Sequence, residues 1–162
     1  MFPEELVRQA ERLLDRLRAE SVTLATAESC TGGLLSGLLT GIAGASDVLE
    51  RGWVTYSNEA KVEELGVEPG LIAAHGAVSA EVARAMAVGA LERSSADVAA
   101  AVTGIAGPGG GTAGKPVGLV HLAALRRGGS PRHHELRLGN IGRQQVRLQS
   151  LAAALALIET VL

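Results

Sequence analysis

The chain has 162 residues, of which 47% are hydrophobic, 20% charged and 2% aromatic, the size of one domain with a full core over residues 1–162. Fifteen Lys and Arg against seventeen Asp and Glu leave a formal charge of -2, so no positive surplus exists to follow a nucleic-acid backbone. A single cysteine, Cys30, excludes an internal disulfide framework, and the four histidines show no metal-ligand spacing, which points to a reducing, cytoplasmic setting without a metal or cofactor.

The first predicted element is an amphipathic helix over Pro3 to Ala19, with Leu6, Ala10, Leu13, Leu14 and Leu17 on one face. Charge throughout Met1 to Glu20 leaves no apolar core for a secretion signal. Ser21 to Ala27 alternates as a strand and leads through Glu28-Ser29-Cys30-Thr31 into a helical run from Gly32 to Leu39. Arg51 to Tyr56 reads as a second strand, after which Ser57 or Asn58 caps a short helix that contains Lys61 and ends at Gly66. Ser79 caps a long Ala-rich helix to about Arg93, and Asp97 to Val102 is a strand apolar enough to be buried on both faces. Leu119 to Leu125 and His133 to Leu138 flank the turn Arg126–Ser130 as an antiparallel hairpin. The last helix runs from about Gly142 to the end; its apolar stretch, broken by Glu159, falls far short of the ~20 residues of a membrane span. Strands separated by helices, with one late hairpin, predict a three-layer α/β/α sandwich with a mixed, mostly parallel sheet. Ligands of such sheets sit beyond the carboxyl ends of parallel strands.

Three groups of residues carry candidate chemistry. Ser29, Thr31 and Gly32 lie between a strand end and a helix start, where free N–H groups favour an anion; helix capping with close glycine packing explains them equally well. Cys30, in the same turn, is a possible thiol nucleophile or simply a small turn residue. The loop from Thr103 to Pro116 contains the spacing of a P-loop and of a dinucleotide fingerprint. Pro116 replaces the metal-binding hydroxyl residue of the first, and no helix comes after it for either. What remains is a glycine loop that approaches a ligand closely, or a flexible crossover. Ser46, Tyr56 and Lys61 form the third group. Lys61 is one of only two lysines, and a lysine among apolar walls serves as general base to a serine; the competing reading is a solvated helix lysine, a capping serine and a core-edge tyrosine. Arg143 and Arg147 share one face at the start of the last helix. His133 and His134 fall on opposite faces of a strand.

Taken together, Thr26-Ala27-Glu28-Ser29-Cys30-Thr31-Gly32-Gly33-Leu34, Tyr56-Ser57-Asn58-Glu59-Ala60-Lys61, Gly76-Ala77-Val78-Ser79, Thr103-Gly104-Ile105-Ala106-Gly107-Pro108-Gly109-Gly110 and Lys115-Pro116-Val117-Gly118 resemble the CinA C-terminal domain proteins, nicotinamide-nucleotide amidohydrolases. Gly139-Asn140-Ile141-Gly142-Arg143 resembles the family's Gly-x-Arg start to the last helix, with Gly142 where a polar residue is usual. The resemblance implies a three-layer α/β/α fold, commonly a homodimer, that hydrolyses nicotinamide mononucleotide to nicotinic acid mononucleotide and ammonia in pyridine-nucleotide salvage. It implies Ser46 as nucleophile, Lys61 as base and Tyr56 as a proton-assisting hydroxyl. Thr103, Gly104, Gly107 and Arg143 would line the substrate site; the helix terminus, independently of the resemblance, adds Ser29, Thr31 and Gly32 as an anion cradle for the phosphate. Longer family members add an N-terminal domain for which this chain has no room, so a stand-alone deamidase is expected. The alternative is a non-catalytic nucleotide-binding module using the same cradle; an intact Ser46, Tyr56 and Lys61 favour the enzyme.

Overall fold

The computed structural model describes residues 1–162. Its centre is one five-stranded sheet in the order β2-β1-β3-β4-β5, built from β1 (Leu24–Glu28), β2 (Leu49–Val54), β3 (Val98–Gly104), β4 (Leu119–Arg126) and β5 (Arg132–Arg137). β1 runs parallel to both β2 and β3, while β4 is antiparallel to β3 and to β5. The mixed sheet and the late hairpin are therefore as expected. β1 and β3 are buried almost end to end, because helices cover both faces of the central strands.

The helices are α1 (Glu4–Ala19), α2 (Leu34–Thr40), α3 (Asn58–Leu65), α4 (Pro69–His75), α5 (Ala80–Glu92) and α6 (Arg143–Glu159). Leu24, Ala100, Val102, Val120 and Leu122 pack with the apolar faces of α1, α2 and α6. Ala25, Ala27, Ala99, Ala101 and Ala123 point the other way, against α5 and the shorter α3 and α4, as the period-two alternation of strands requires. Ser57 and Ser79 accept the N–H groups of Ala60 and Val82 and so cap α3 and α5, and Gly66 closes α3 at φ 66°. Helix α4 is an addition to the elements expected from the sequence; Pro69 in its first turn and Gly76 at its end are the local signals that mark it. His133 and His134 diverge as expected: His133 meets His121, and His134 borders a groove against α6. No helix is long and apolar enough to cross a membrane.

Candidate active site

Parallel strands deliver their trailing loops to one end of the sheet. Ser29 comes directly after β1, Tyr56 and Lys61 come after β2, and Thr103 and Gly104 end β3, so all converge beyond the carboxyl ends. With Cys30, Ala77, Val78, Ala106 and Arg143 they line one cavity of about 210 Å³.

Lys61 organises it. The side chain is only 1% exposed, and its Nζ donates to Ser29 Oγ at 3.0 Å and to the Thr55 carbonyl at 2.7 Å, with the Tyr56 and Ser57 carbonyls at 3.4 and 3.5 Å. Burial pushes the amine below the ordinary lysine value of 10.5, since low polarity disfavours the ammonium. A buried amine on a serine hydroxyl can remove that hydroxyl's proton and activate it. Cys30, beside Ser29, is buried, and burial above all pushes its thiol up to about 12; it stays protonated at neutral pH and is a poor nucleophile.

Ser46 is not brought to this site. It lies in a 3-10 turn, Ala45–Asp47, before β2 and borders a separate recess with Thr40, Ile42, Gly44, Ala45 and Leu49. Lys61 comes after β2, so the six-residue strand Leu49–Val54 separates them by about 20 Å at ~3.3 Å per residue. The serine that meets Lys61 is Ser29. The period-two alternation at the end of β1 carries the signal for it: Glu28 faces α2 and Ser29 faces α3, which holds Lys61.

The expected cradle at the start of α2 is corrected as well. The buried Glu28 carboxylate already accepts from the N–H groups of Gly33, Leu35 and Ser36, at 3.1, 3.0 and 2.9 Å, so those donors are not free for a phosphate. Thr31 is fully buried with an unpartnered hydroxyl; its carbonyl accepts from Arg147 Nη2 at 3.0 Å. The Gly32 N–H is used locally, by the Ser29 carbonyl. Neither Thr31 nor Gly32 reaches the cavity.

The other expected residues gather at the rim. Thr103 Oγ1 donates to the Ala77 carbonyl at 2.9 Å, joining β3 to the loop before α5. Tyr56 is 61% exposed, and its hydroxyl lies 3.1 Å from Arg143 Nη2 rather than against Ser29 or Lys61. Arg143 Nη1 also donates to the Gly107 carbonyl at 2.9 Å, so the first residue of α6 spans the mouth between β2 and the glycine loop. Gly142 precedes it at φ 93° without a side-chain cap, and the altered residue there does not prevent Arg143 from reaching the site. That loop is tied down elsewhere: Lys115 Nζ donates to the His75 carbonyl.

The CinA C-terminal domain model matches residues 7–162. A CinA-like protein from Chlorobium phaeovibrioides is 59% identical over 117 residues, covering 72% of this chain and 27% of that protein. A CinA-like protein from Mycobacterium marinum is 52% identical over 155 residues, covering 95% and 36% respectively. The chain thus spans about a third of the length of such curated relatives. Among solved structures, the competence/damage inducible protein CihA from Agrobacterium tumefaciens superposes with a TM-score of 0.97 at 51% identity, over 99% of this chain and 97% of that one. A competence-damaged protein (CinA) superfamily protein from Escherichia coli gives a TM-score of 0.92 at 33% identity, over 100% and 94%. Matched by the family model from residue 7 to its last residue, and by these backbones along its whole length, the chain belongs to the CinA C-terminal domain family.

Proposed function

We propose that this chain hydrolyses the carboxamide of nicotinamide mononucleotide to nicotinic acid mononucleotide and ammonia, with Ser29 as nucleophile and Lys61 as its base. The observation that carries the reading is the 3.0 Å hydrogen bond from a buried, carbonyl-oriented amine to a serine hydroxyl at the carboxyl ends of the parallel strands. Neutral Lys61 takes the Ser29 proton as Oγ attacks the carboxamide carbon, then returns it to the amide nitrogen as the C–N bond breaks and ammonia leaves. Water, giving a proton to the same amine, adds to the acyl-Ser29 carbonyl; the ester C–O bond breaks as Lys61 passes that proton to Ser29 Oγ, which releases the acid and restores the neutral amine. Ala106 lines the cavity and its N–H has no backbone partner, which makes it a donor available to the oxyanion. The cavity, at about 210 Å³, is smaller than the ~300 Å³ at which drug-sized pockets begin. It suits the pyridine carboxamide alone, with ribose and phosphate emerging past Tyr56 and the exposed guanidinium of Arg143.

Ammonia release from the mononucleotide, compared with free nicotinamide, tests this. Fast turnover of the nucleotide and slow turnover of the free amide are expected, because the phosphate adds remote binding energy. Tight nucleotide binding without ammonia release would replace the enzyme by a nucleotide-binding module.

A further inference from the structure

Beneath the Ser29 turn lies a polar network that the proposed proton transfers do not use. Glu28 is fully buried, and its carboxylate is satisfied without a cation. Oε2 accepts from Gly33 and Leu35, and Oε1 from the Ser36 N–H and, at 3.0 Å, the Ser36 hydroxyl. That hydroxyl is also 2.7 Å from Thr26 Oγ1. The backbone of Glu28 is bonded just as specifically: its carbonyl accepts the Thr55 N–H at 2.9 Å, and the Thr55 carbonyl accepts Lys61 Nζ at 2.7 Å. One residue thus joins, through its side chain, the helix that closes the Ser29 turn and, through its main chain, the strand end that holds Lys61. The next residue, Ser29, donates its N–H to the Val102 carbonyl at 2.9 Å, so the turn begins from a fixed strand.

We infer that Glu28 is a positioning residue, whose buried carboxylate sets the turn that holds Ser29 against Lys61. The inference rests on the assignment of Ser29 and Lys61 as nucleophile and base. Four donors converge on the two carboxylate oxygens, and a glutamine puts an NH₂ group where one oxygen stood. At least one N–H of the α2 start then loses its acceptor and faces another donor. The turn relaxes to relieve this, and a displacement near 1 Å at a reacting atom lowers rate by about 100-fold.

The test compares wild type, Glu28→Gln and the milder Ser36→Ala, which removes one hydroxyl donor and leaves the backbone intact. Folding is checked by circular dichroism and melting. The reactivity of Ser29 is read as its labelling rate with a fluorophosphonate probe, located by mass spectrometry, and kcat and KM are measured by ammonia release. Folded Glu28→Gln should label about 10- to 100-fold more slowly, with kcat reduced in step and KM within about threefold; Ser36→Ala should shift the same way by less. A purely structural Glu28 would lower the melting temperature and leave labelling of the folded protein at the wild-type rate, which overturns the inference. If Glu28→Gln does not fold, Ser36→Ala decides: slower labelling at unchanged KM supports the inference, and wild-type labelling overturns it. Wild type that labels at Ser29 yet releases no ammonia refutes the substrate while the labelling comparison still decides Glu28. Wild type that does not label at Ser29 removes both.

Discussion

Lys61 Nζ meets Ser29 Oγ at 3.0 Å, and desolvation holds the amine below its ordinary basicity with no carboxylate among the groups that shift it. A carboxylate there would favour the ammonium and block proton uptake. Ser29 comes from the turn after β1 and Lys61 from helix α3, which comes after β2, so two different parallel strands bring the pair together.

If these two residues act as one unit, Ser29→Ala and Lys61→Ala should each lower kcat by at least about 1000-fold, and the double variant should be little worse. Ser46→Ala and Cys30→Ala should keep most of the activity. Ammonia release from the purified, folded variants checks all five proteins. Loss in Ser46→Ala with full activity in Ser29→Ala would reverse the assignment.

The rate should depend on pH through Lys61. The reactive form is the neutral amine, so kcat/KM rises with pH and levels off above the Lys61 pKa, which burial holds below 10.5. A pH–rate profile whose limb is centred at or above 10.5 would show that the base is not the buried lysine.

Arg143 bridges the Tyr56 hydroxyl and the Gly107 carbonyl across the cavity mouth. Arg143→Ala should raise KM for the mononucleotide by about tenfold, the loss of roughly one charge-assisted hydrogen bond. Turnover of free nicotinamide should change little. Equal effects on the two substrates would assign Arg143 to loop support and not to the phosphate.

The acid stability of the fold should report on His121 and His133. Nδ1 of His121 and Nε2 of His133 stand 2.8 Å apart, so one ring must be neutral to accept. Burial lowers both from the ordinary histidine value, within a setting that also holds Glu81, Arg84, Lys115, Glu135 and Arg137. Because the folded values lie below the unfolded one, this contribution is complete above about pH 6.5 and is lost as pH falls through the lowered folded values. Denaturant melts at neutral and mildly acid pH should show a loss that His133→Gln reduces. An identical loss in the variant would mean that the pair does not titrate in this window.

Gly89 in α5 faces the α3 backbone, where an added Cβ would sit on the Leu65 carbonyl oxygen. Gly89→Ala should therefore destabilise the fold by about 1–3 kcal/mol, measurable by denaturant melting. Since α3 carries Lys61, activity of the folded variant should fall too; a drop in stability with kcat intact would show that α3 shifts without moving the amine.

Much of this is legible along the chain. Ser57, Gly66 and Ser79 mark helix boundaries through bonds within a few residues of themselves, and β1, β3 and β4 arise from small or apolar runs buried along their length. Lys61, Thr103 and Arg143 also stand out, each by a motif. Helix α4 escapes because Ile72 is its one buried residue and it shows no apolar period, whereas α2, equally short, shows one in Leu35, Leu38 and Leu39.

Which serine meets the lysine is a different kind of question. Ser46 is closer to Lys61 in sequence than Ser29 is, yet β2 lies between Ser46 and Lys61 and carries them to opposite ends of the sheet. The parallel pairing of β1 with β2 brings Ser29 to the same end as Lys61. The phosphate cradle fails for a related reason: a helix start offers the same free N–H groups whether an outside anion or its own Glu28 fills them. Local spacing determines which residues can form strands, caps and turns, because those bonds are short in sequence. Strand direction and the rotamer of one buried carboxylate determine which residues meet and which donors remain free, because they depend on contacts that exist only once the sheet has assembled.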